Sequence, residues 1–450
     1  MNDPLHPSIH GLSRKLAEFS RDFQLQQAPA SVLANAKLAI LDCFGVTVLA
    51  GRQEIGERLR NFARANIAAG TCTVWGMEFQ TNARDAAFLN GTLAHGLDYD
   101  DRNHATTYTL AASVALSESV NAGGREVLEA FIVGREVRAS LDGLFSHRSS
   151  GIGPGARGWH SNGILGPIAA ACSASKVLKL DSKQTLAAIG LAAGSCGALT
   201  RDGGTMAKPF RCGHAAATGV TSALLAREGF TSDETALEER YGLLEAVGPL
   251  SEQILASLGK DLGVDWDLGR SLRIKPFASC TATHSGLEAM LRLVQREKII
   301  ANDVEALECD LRPYPLVRAR PSRGYEGRFS MPFCLALALV YGKVAPDDFV
   351  NERLEEPQIQ YLIQRTRHLP KQEILTITLK DGKKLSEPFR PPTNLTEQSQ
   401  VSEKFAQSVS QVFSPEKTRA VTDHVLHLEE LPAITELTKL LRTAAGTAVH

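Results

Sequence analysis

The stretch SVLANAKLAILDCFGVTVL, from Ser31 to Leu49, is apolar on most of its helical faces. A helix of that kind belongs in the centre of a larger body. Its best apolar run, Leu38 to Ala50, contains Asp42 and is too short to cross a bilayer. Further helical segments are expected on its C-terminal side: Ala83 to Leu97, Leu110 to Val120, Val127 to Leu144, Asn162 to Leu178 and Lys183 to Gly194, with Gly, Pro, Asn or Asp between them. Ala and Gly are dense in these segments, which lets helices approach closely. Up to about residue 260 no alternating apolar run is evident.

Near Ser271 the pattern changes. Val304 to Leu311 alternates, with Leu307, Cys309 and Leu311 on one side. Glu373 to Lys380 does so more clearly, with Leu375, Ile377 and Leu379 on one face, and Asp381-Gly382 then starts a hairpin to Lys383–Leu385. Helices are expected at about Thr283 to Glu297 and Ser330 to Tyr341. The tail from Leu395 is helical again and too small to fold alone. The predicted fold is mainly α: a helical domain over 1–268, completed by 396–450, and a smaller α+β domain over 269–395. No fixed-period repeat or low-complexity tract is evident.

The chain has 450 residues, 49 Lys plus Arg against 50 Asp plus Glu, and a net charge of -1, which argues against broad nucleic-acid binding. Its eight cysteines are scattered with no C-x-x-C, so no zinc ribbon or thioredoxin-like motif is expected. The N-terminus, MNDPLHPSIHG, has no basic region followed by an apolar core. The expectation is therefore a cytoplasmic protein without a signal peptide, binding neither membrane nor nucleic acid.

Two stretches concentrate cations near expected helix starts. AKPFRCGHAAATG, Ala207 to Gly219, carries Lys208, Arg211 and His214; KPFASCTATHS, Lys275 to Ser285, repeats the Lys-Pro-Phe and carries His284. Free backbone N–H groups and the helix dipole favour anions at such ends. Two of them suggest a ligand with more than one negative group. NGTLAHGLDYDDRNHATTY, Asn90 to Tyr108, is the densest polar cluster of the helical part, with His95, Asp98, Asp100, Asp101, Arg102 and His104. Neighbouring carboxylates raise one another's pKa, which poises a base; the other reading is a solvated acidic loop. His95, Asp98 and His104 are also metal-ligand types, but their spacing fits no zinc pattern and no metal is expected. His160, in GWHSNG, either presents its imidazole to a ligand or packs beside a helix cap at Ser161 or Asn162. The glycines Gly151, Gly153 and Gly155 make no dinucleotide fingerprint. Arginines 312, 318, 320, 323 and 328 form a basic segment, of which one or two could reach a site.

AAFLNGTLAHGLDYDD (86–101), GWHSNG (158–163), GTMAKPFRCGHAAATG (204–219), KPFASCTATHSGLEA (275–289) and GRFSMPF (327–333) together resemble the MmgE/PrpD family. That family includes 2-methylcitrate dehydratases, cis-aconitate decarboxylases and iminodisuccinate epimerases. The resemblance implies a homodimer and a cofactor-free site between a helical and a lid-like domain. It places Asp98, His160, Lys208 and Lys275 in the pocket, with Tyr314 as a loosely aligned pocket tyrosine. Lyase members usually carry Thr-His-Pro where this chain reads Thr107-Tyr108-Thr109, and a threonine where it has Arg102. Losing that histidine should hurt protonation of a leaving hydroxide or of the carbanion left by carbon dioxide. An epimerisation has no leaving group and needs a base, an acid on the opposite face and cations for an enolate-like intermediate. The expectation is an isomerase of a small dicarboxylate such as iminodisuccinate. Asp98, Tyr108, His160, Lys208 and Lys275 are the catalytic candidates, and Arg102, His104, Arg211 and Tyr314 the substrate-binding ones. The alternative within the family is a lyase of the 2-methylcitrate dehydratase or cis-aconitate decarboxylase type; a non-catalytic anion-binding scaffold is the third reading.

Overall fold

A computed structural model describes residues 9–146, 151–270, 272–310, 318–370 and 372–443. The Ser31–Leu49 stretch lies inside α2 (Ala30–Ala50), which follows α1 (Leu12–Asp22) and precedes α3 (Glu54–Asn66). The helix outruns its predicted apolar core, and by length and composition alone it could cross a membrane. Its flanks are instead covered by protein: Ile40, Leu41, Phe44 and Val48 are all sealed from solvent.

Around it stand α4 (Ala83–Ala94), α5 (Ala105–Ser119), α6 (Gly124–Ser140), α7 (Ser161–Val177), α8 (Ser182–Ala193) and α9 (Ala207–Arg227). Small residues set the spacing. A Cβ on Gly219 of α9 would lie 2.4 Å from the Ala170 backbone of α7, and one on Gly213 2.2 Å from the Phe88 carbonyl of α4. Backbones that close admit no side chain.

A second apolar core lies under α10 (Thr281–Glu297), α11 (Met331–Tyr341), α12 (Pro357–Arg365) and a four-stranded sheet. The sheet holds β3 (Val304–Cys309), β4 (Thr366–His368), β5 (Ile374–Leu379) and β6 (Lys384–Pro388) in the order β4-β3-β5-β6. The Asp381-Gly382 hairpin joins β5 to β6, with Ile377 opposite both Leu307 and Leu385. Those three and Leu375 point into the core, as the alternation predicted. Leu379 is half-buried, and Leu311 lies outside the described residues. The parallel strand β4 was not expected.

The tail closes on the first core. In α13 (Gln398–Val409), Val401, Phe405 and Val409 are buried, and a Cβ on Gly45 of α2 would meet the Phe405 ring at 2.9 Å. Val421 and Val425 of α14 (Pro415–Leu426) join the same core. The expectation of a purely helical first part needs one correction. Ala69–Thr73 and Gln80–Thr81, β1 and β2, pair as a small antiparallel hairpin, too short and irregular to alternate.

Candidate active site

Helix α4 ends at Ala94, and the chain turns through Asp98, which takes a left-handed φ of 51°; His104, at the start of α5, has a φ of 64°. Such backbone costs energy in a non-glycine residue and persists where the surroundings over-determine it. Here each residue from 98 to 101 is held from a different direction. The Lys275 Nζ donates to Asp98 Oδ1 at 2.5 Å and to the Asp98 carbonyl at 2.8 Å, while Lys208 Nζ lies 3.1 Å from Oδ2. The Tyr99 carbonyl accepts from Lys404 at 2.7 Å, and Lys404 also pairs with Asp42 at 2.7 Å. Asp100 accepts from two imidazoles, His95 Nδ1 at 2.9 Å and His104 Nδ1 at 2.8 Å. Asp101 receives Arg135 Nη1 at 2.5 Å.

These partners reverse the electrostatic expectation. Burial alone would raise the Asp98 carboxyl, but the Lys208 and Lys275 ammonium groups outweigh it and hold Asp98 well below the ordinary range. Asp100 is likewise held down, by the two histidines against its burial. Asp98 and Asp100 therefore do not poise one another as bases; each is held as an anion by its cation or donor partners. On Lys275, burial is outweighed by Asp98 and Asp100, so its pKa is raised and it stays an ammonium. His95 is pushed down to about 3 by burial and the Lys208 charge, and is neutral at neutral pH.

The two lysine stretches meet at this carboxylate, by different routes. Lys208 sits in the first turn of α9, as expected. Lys275 does not open a helix; it follows Ile274, which bridges to Asp101 on one side and Leu395 on the other, and α10 starts only at Thr281. The helix-start idea still applies to the cavity that results. Its volume is about 300 Å³, and its wall includes Ser161 at the start of α7 and Thr281 and Ala282 at the start of α10. Both helix starts turn the positive end of their dipole towards the cavity.

Of the expected site residues, Asp98, Arg102, His104, His160, Lys208 and Lys275 line this cavity, joined by Arg138 and Cys280, which the sequence reading missed. Four cations and one carboxylate line that wall; Lys208 and Lys275 pair with Asp98, and Arg138 pairs with Asp142. His160 lines the cavity, and it is itself the helix cap that the sequence reading gave to Ser161 or Asn162. Its Nδ1 accepts from the Asn162 backbone N–H at 3.3 Å, capping α7, and this leaves the proton on Nε2. Burial, then the charges of Arg211 and Lys208, push its pKa well down, so it is a neutral donor. Arg102 donates to the Pro392 and Thr393 carbonyls, both at 2.8 Å, and its buried Nε has no partner among the described residues.

Two expected residues are off the wall. Tyr108 is fully buried, its hydroxyl has no partner among the described residues, and its pKa is raised by burial. It lies one turn along α5 from His104, and a Cβ on Gly166 of α7 would touch its ring at 3.5 Å. Arg211 pairs with Asp202 at 2.9 Å and donates to the Leu199 carbonyl. It supports the loop before α9 and acts on the cavity only through its charge on His160. Tyr314 and Arg312 lie outside the described residues. Of the remaining arginines, Arg328 is buried against the Ala278 carbonyl and the Phe349 ring, and Arg318 donates to Gly203; neither lines the cavity.

His95, Asp98, Asp100 and His104 place ligand-type atoms within 4.8 Å of one another. Both imidazole Nδ1 atoms are spent on Asp100, and two lysines occupy Asp98. That donor set is already charge-balanced, and a divalent ion would face two ammonium groups. A larger hollow of about 570 Å³ lies behind Trp159, between Gly190–Gly194 and Tyr241–Val247. It holds neither lysine nor histidine, so the chemistry gathers in the smaller one.

Residues 14–253 match the MmgE/PrpD N-terminal domain and residues 277–429 the MmgE/PrpD C-terminal domain. The chain belongs to the MmgE/PrpD family. Among curated members, the cis-aconitate decarboxylase of Mus musculus is 26% identical over 96% of this chain and 94% of its own length. That of Homo sapiens is 25% identical over 91% and 90%, and that of Aspergillus terreus 24% identical over 96% of each. Members resembling this MmgE/PrpD chain along nearly its whole length are thus enzymes named as lyases; the comparisons give the epimerase expectation no support.

Proposed function

We propose that the protein is a cofactor-independent lyase that decarboxylates a small unsaturated tricarboxylate of the cis-aconitate type. The observation that carries this is the wall itself, in a cavity of about 300 Å³: Lys208 and Lys275 on the two oxygens of Asp98, with Arg102 and Arg138, the latter paired with Asp142, on the same lining. A compact polyanion is the complement of such a wall. The full-length likeness to cis-aconitate decarboxylases points to the same substrate class.

In the step, the bond between a saturated carbon and its carboxylate breaks and carbon dioxide leaves. The electron pair enters the allylic system, the double bond shifts, and the former vinylic carbon takes a proton. The cations hold the remaining carboxylates and damp the delocalised charge, the kind of contact worth about 10²–10³ in rate per donor. His104 is the proton donor in its doubly protonated, imidazolium form: Nδ1–H is given to Asp100, and the Nε2–H, 3.8 Å from Asp98, is the proton turned towards the cavity. Asp98 is neither acid nor base here; it positions the two ammonium groups.

The epimerase reading keeps one specific support, the absence of a histidine at 108. It has lost the phenol assigned as its second acid–base group, because the Tyr108 hydroxyl is sealed in the core. One pair of assays separates the readings. Purified protein with cis-aconitate should release carbon dioxide and take up one solvent deuteron per product in heavy water. No carbon dioxide, together with deuterium exchange at the α-carbon of iminodisuccinate, would replace the lyase with the epimerase.

A further inference from the structure

The two arms that meet at Asp98 come from distant parts of the chain, and something must fix their register. Loop 98–104 and segment 272–276 touch through the Asp101–Ile274 bridge and through the Arg102 N–H, which donates to the Arg273 carbonyl at 3.0 Å. Behind that bridge, away from the cavity wall, lies Arg135 of α6. Its Nη1 donates to Asp101 Oδ2 at 2.5 Å and to Thr106 Oγ1 at 2.7 Å, and its Nη2 to Asp267 Oδ2 at 2.6 Å. One guanidinium thus grips the loop that carries Asp98, the first turn of the helix that follows it, and the residue that leads into the Lys275 segment. The arrangement is buried throughout: Arg135, Asp101 and Asp267 are each at most 5% exposed. Asp267 is held further by Arg273 at 3.3 Å and through its own N–H, which donates to Glu136 at 2.9 Å.

We propose that Arg135 is a positioning residue: its planar fork sets the register between the Asp98 loop and the Lys275 segment, and so the Lys275–Asp98 contact at the cavity. An ammonium on a flexible stem cannot hold two carboxylates and a hydroxyl in one plane, so lysine is not its equivalent. The role in turnover rests on the reading of the cavity as an active site; the register itself does not.

The test uses the full chain and three variants: Arg135→Lys, Asp101→Asn, which leaves Arg135 its Asp267 partner, and Arg135→Met. Hydrogen exchange read by peptide mass spectrometry is the first arm. Arg135→Lys and Asp101→Asn should speed exchange of peptides covering 98–104 and 272–276 together, by about tenfold or more, with α9 unchanged. If both segments exchange as in the wild type, or every element speeds equally, the proposal is overturned, whatever the enzyme acts on. Turnover is the second arm. Arg135→Lys should lose about 100-fold in kcat with KM within twofold, while an inert saturated tricarboxylate still binds at one per chain; that stoichiometry separates misplacement from a shrunken folded fraction. Arg135→Met should fare worse than Arg135→Lys. A lysine variant with wild-type kcat overturns the role in turnover. A wild type that acts on neither candidate substrate overturns the proposed function, and the exchange arm still decides the register.

Discussion

The chain writes Lys-Pro-Phe twice and folds it in two ways. At 208–210 the triplet lies in the first turn of α9; the ammonium is buried, but Phe210 is 48% exposed and stacks on His214. At 275–277 it follows the bridged Ile274 into a bend, Lys275 is sealed, and Phe277 meets the edge-on ring of a fully buried His284. Yet both lysines end on the two oxygens of one carboxylate. Local sequence foretold the helix start at Lys208 but not the meeting point. That is set by the third partner, Asp98, whose buried charge the two cations compensate.

Breaking the comparison outright should have the largest effect. Asp98→Ala leaves two buried ammonium groups without their counter-ion, so we expect loss of more than 10³ in kcat/KM and about 3–5 kcal/mol of stability, read from urea melts. A melt within 1 kcal/mol of wild type would mean the lysines find other partners. Next, the two lysines should differ. Lys275→Met removes two contacts to Asp98 from a sealed site and should cost about 2–3 kcal/mol. Lys208→Met removes one and should cost about 1, while both depress kcat about 10²-fold or more. Equal destabilisation would refute the asymmetry.

Acid stability sharpens the same picture. Asp98 is held well below its free value of 3.8, so the stability it supplies is complete above that pH and is lost as pH falls below it. His160 is held neutral, well below its free value of 6.5. Its unfolded form binds a proton that the folded form refuses, so its contribution is intact above 6.5 and drains away beneath. His160→Gln should therefore flatten the fall in unfolding free energy below about pH 6.5, and Asp98→Asn the fall below about pH 4. Unchanged slopes would count against the assigned charge states. The smallest contrast is between the histidines of the two stretches. His284→Ala should cost about 2 kcal/mol, from its bond to the Ser279 carbonyl and its ring packing, and His214→Ala less than about 0.5.

Much of the fold was legible because small and apolar residues recur at helical spacing over long runs; α4 and α7 begin within a residue of their predicted starts. β1, β2 and β4 were not, since runs of two to five residues are too short to show a period. Asp98, His160, Lys208 and Lys275 were found because charged types crowded otherwise bland segments. Tyr108 misled because it follows the acidic cluster in sequence, while one helical turn, about 6 Å, carries it past the cavity and into the α5–α7 contact. Arg135 and Lys404 left no local signal, because their partners lie tens to hundreds of positions away, and Arg138, paired with Asp142 four positions on, reads as an ordinary helical ion pair.

Lys404 carries a consequence for synthesis. The hook that holds the Tyr99 carbonyl, between Asp98 and Asp100, is made some three hundred positions later, in α13. While the ribosome is still building the chain, the helices through α9 can emerge and pack, but the acidic turn stays without its inner anchor until that late segment arrives. Catalytic competence is therefore among the last properties a newborn molecule acquires, and a message truncated ahead of codon 404 would yield a protein that is largely helical and inert.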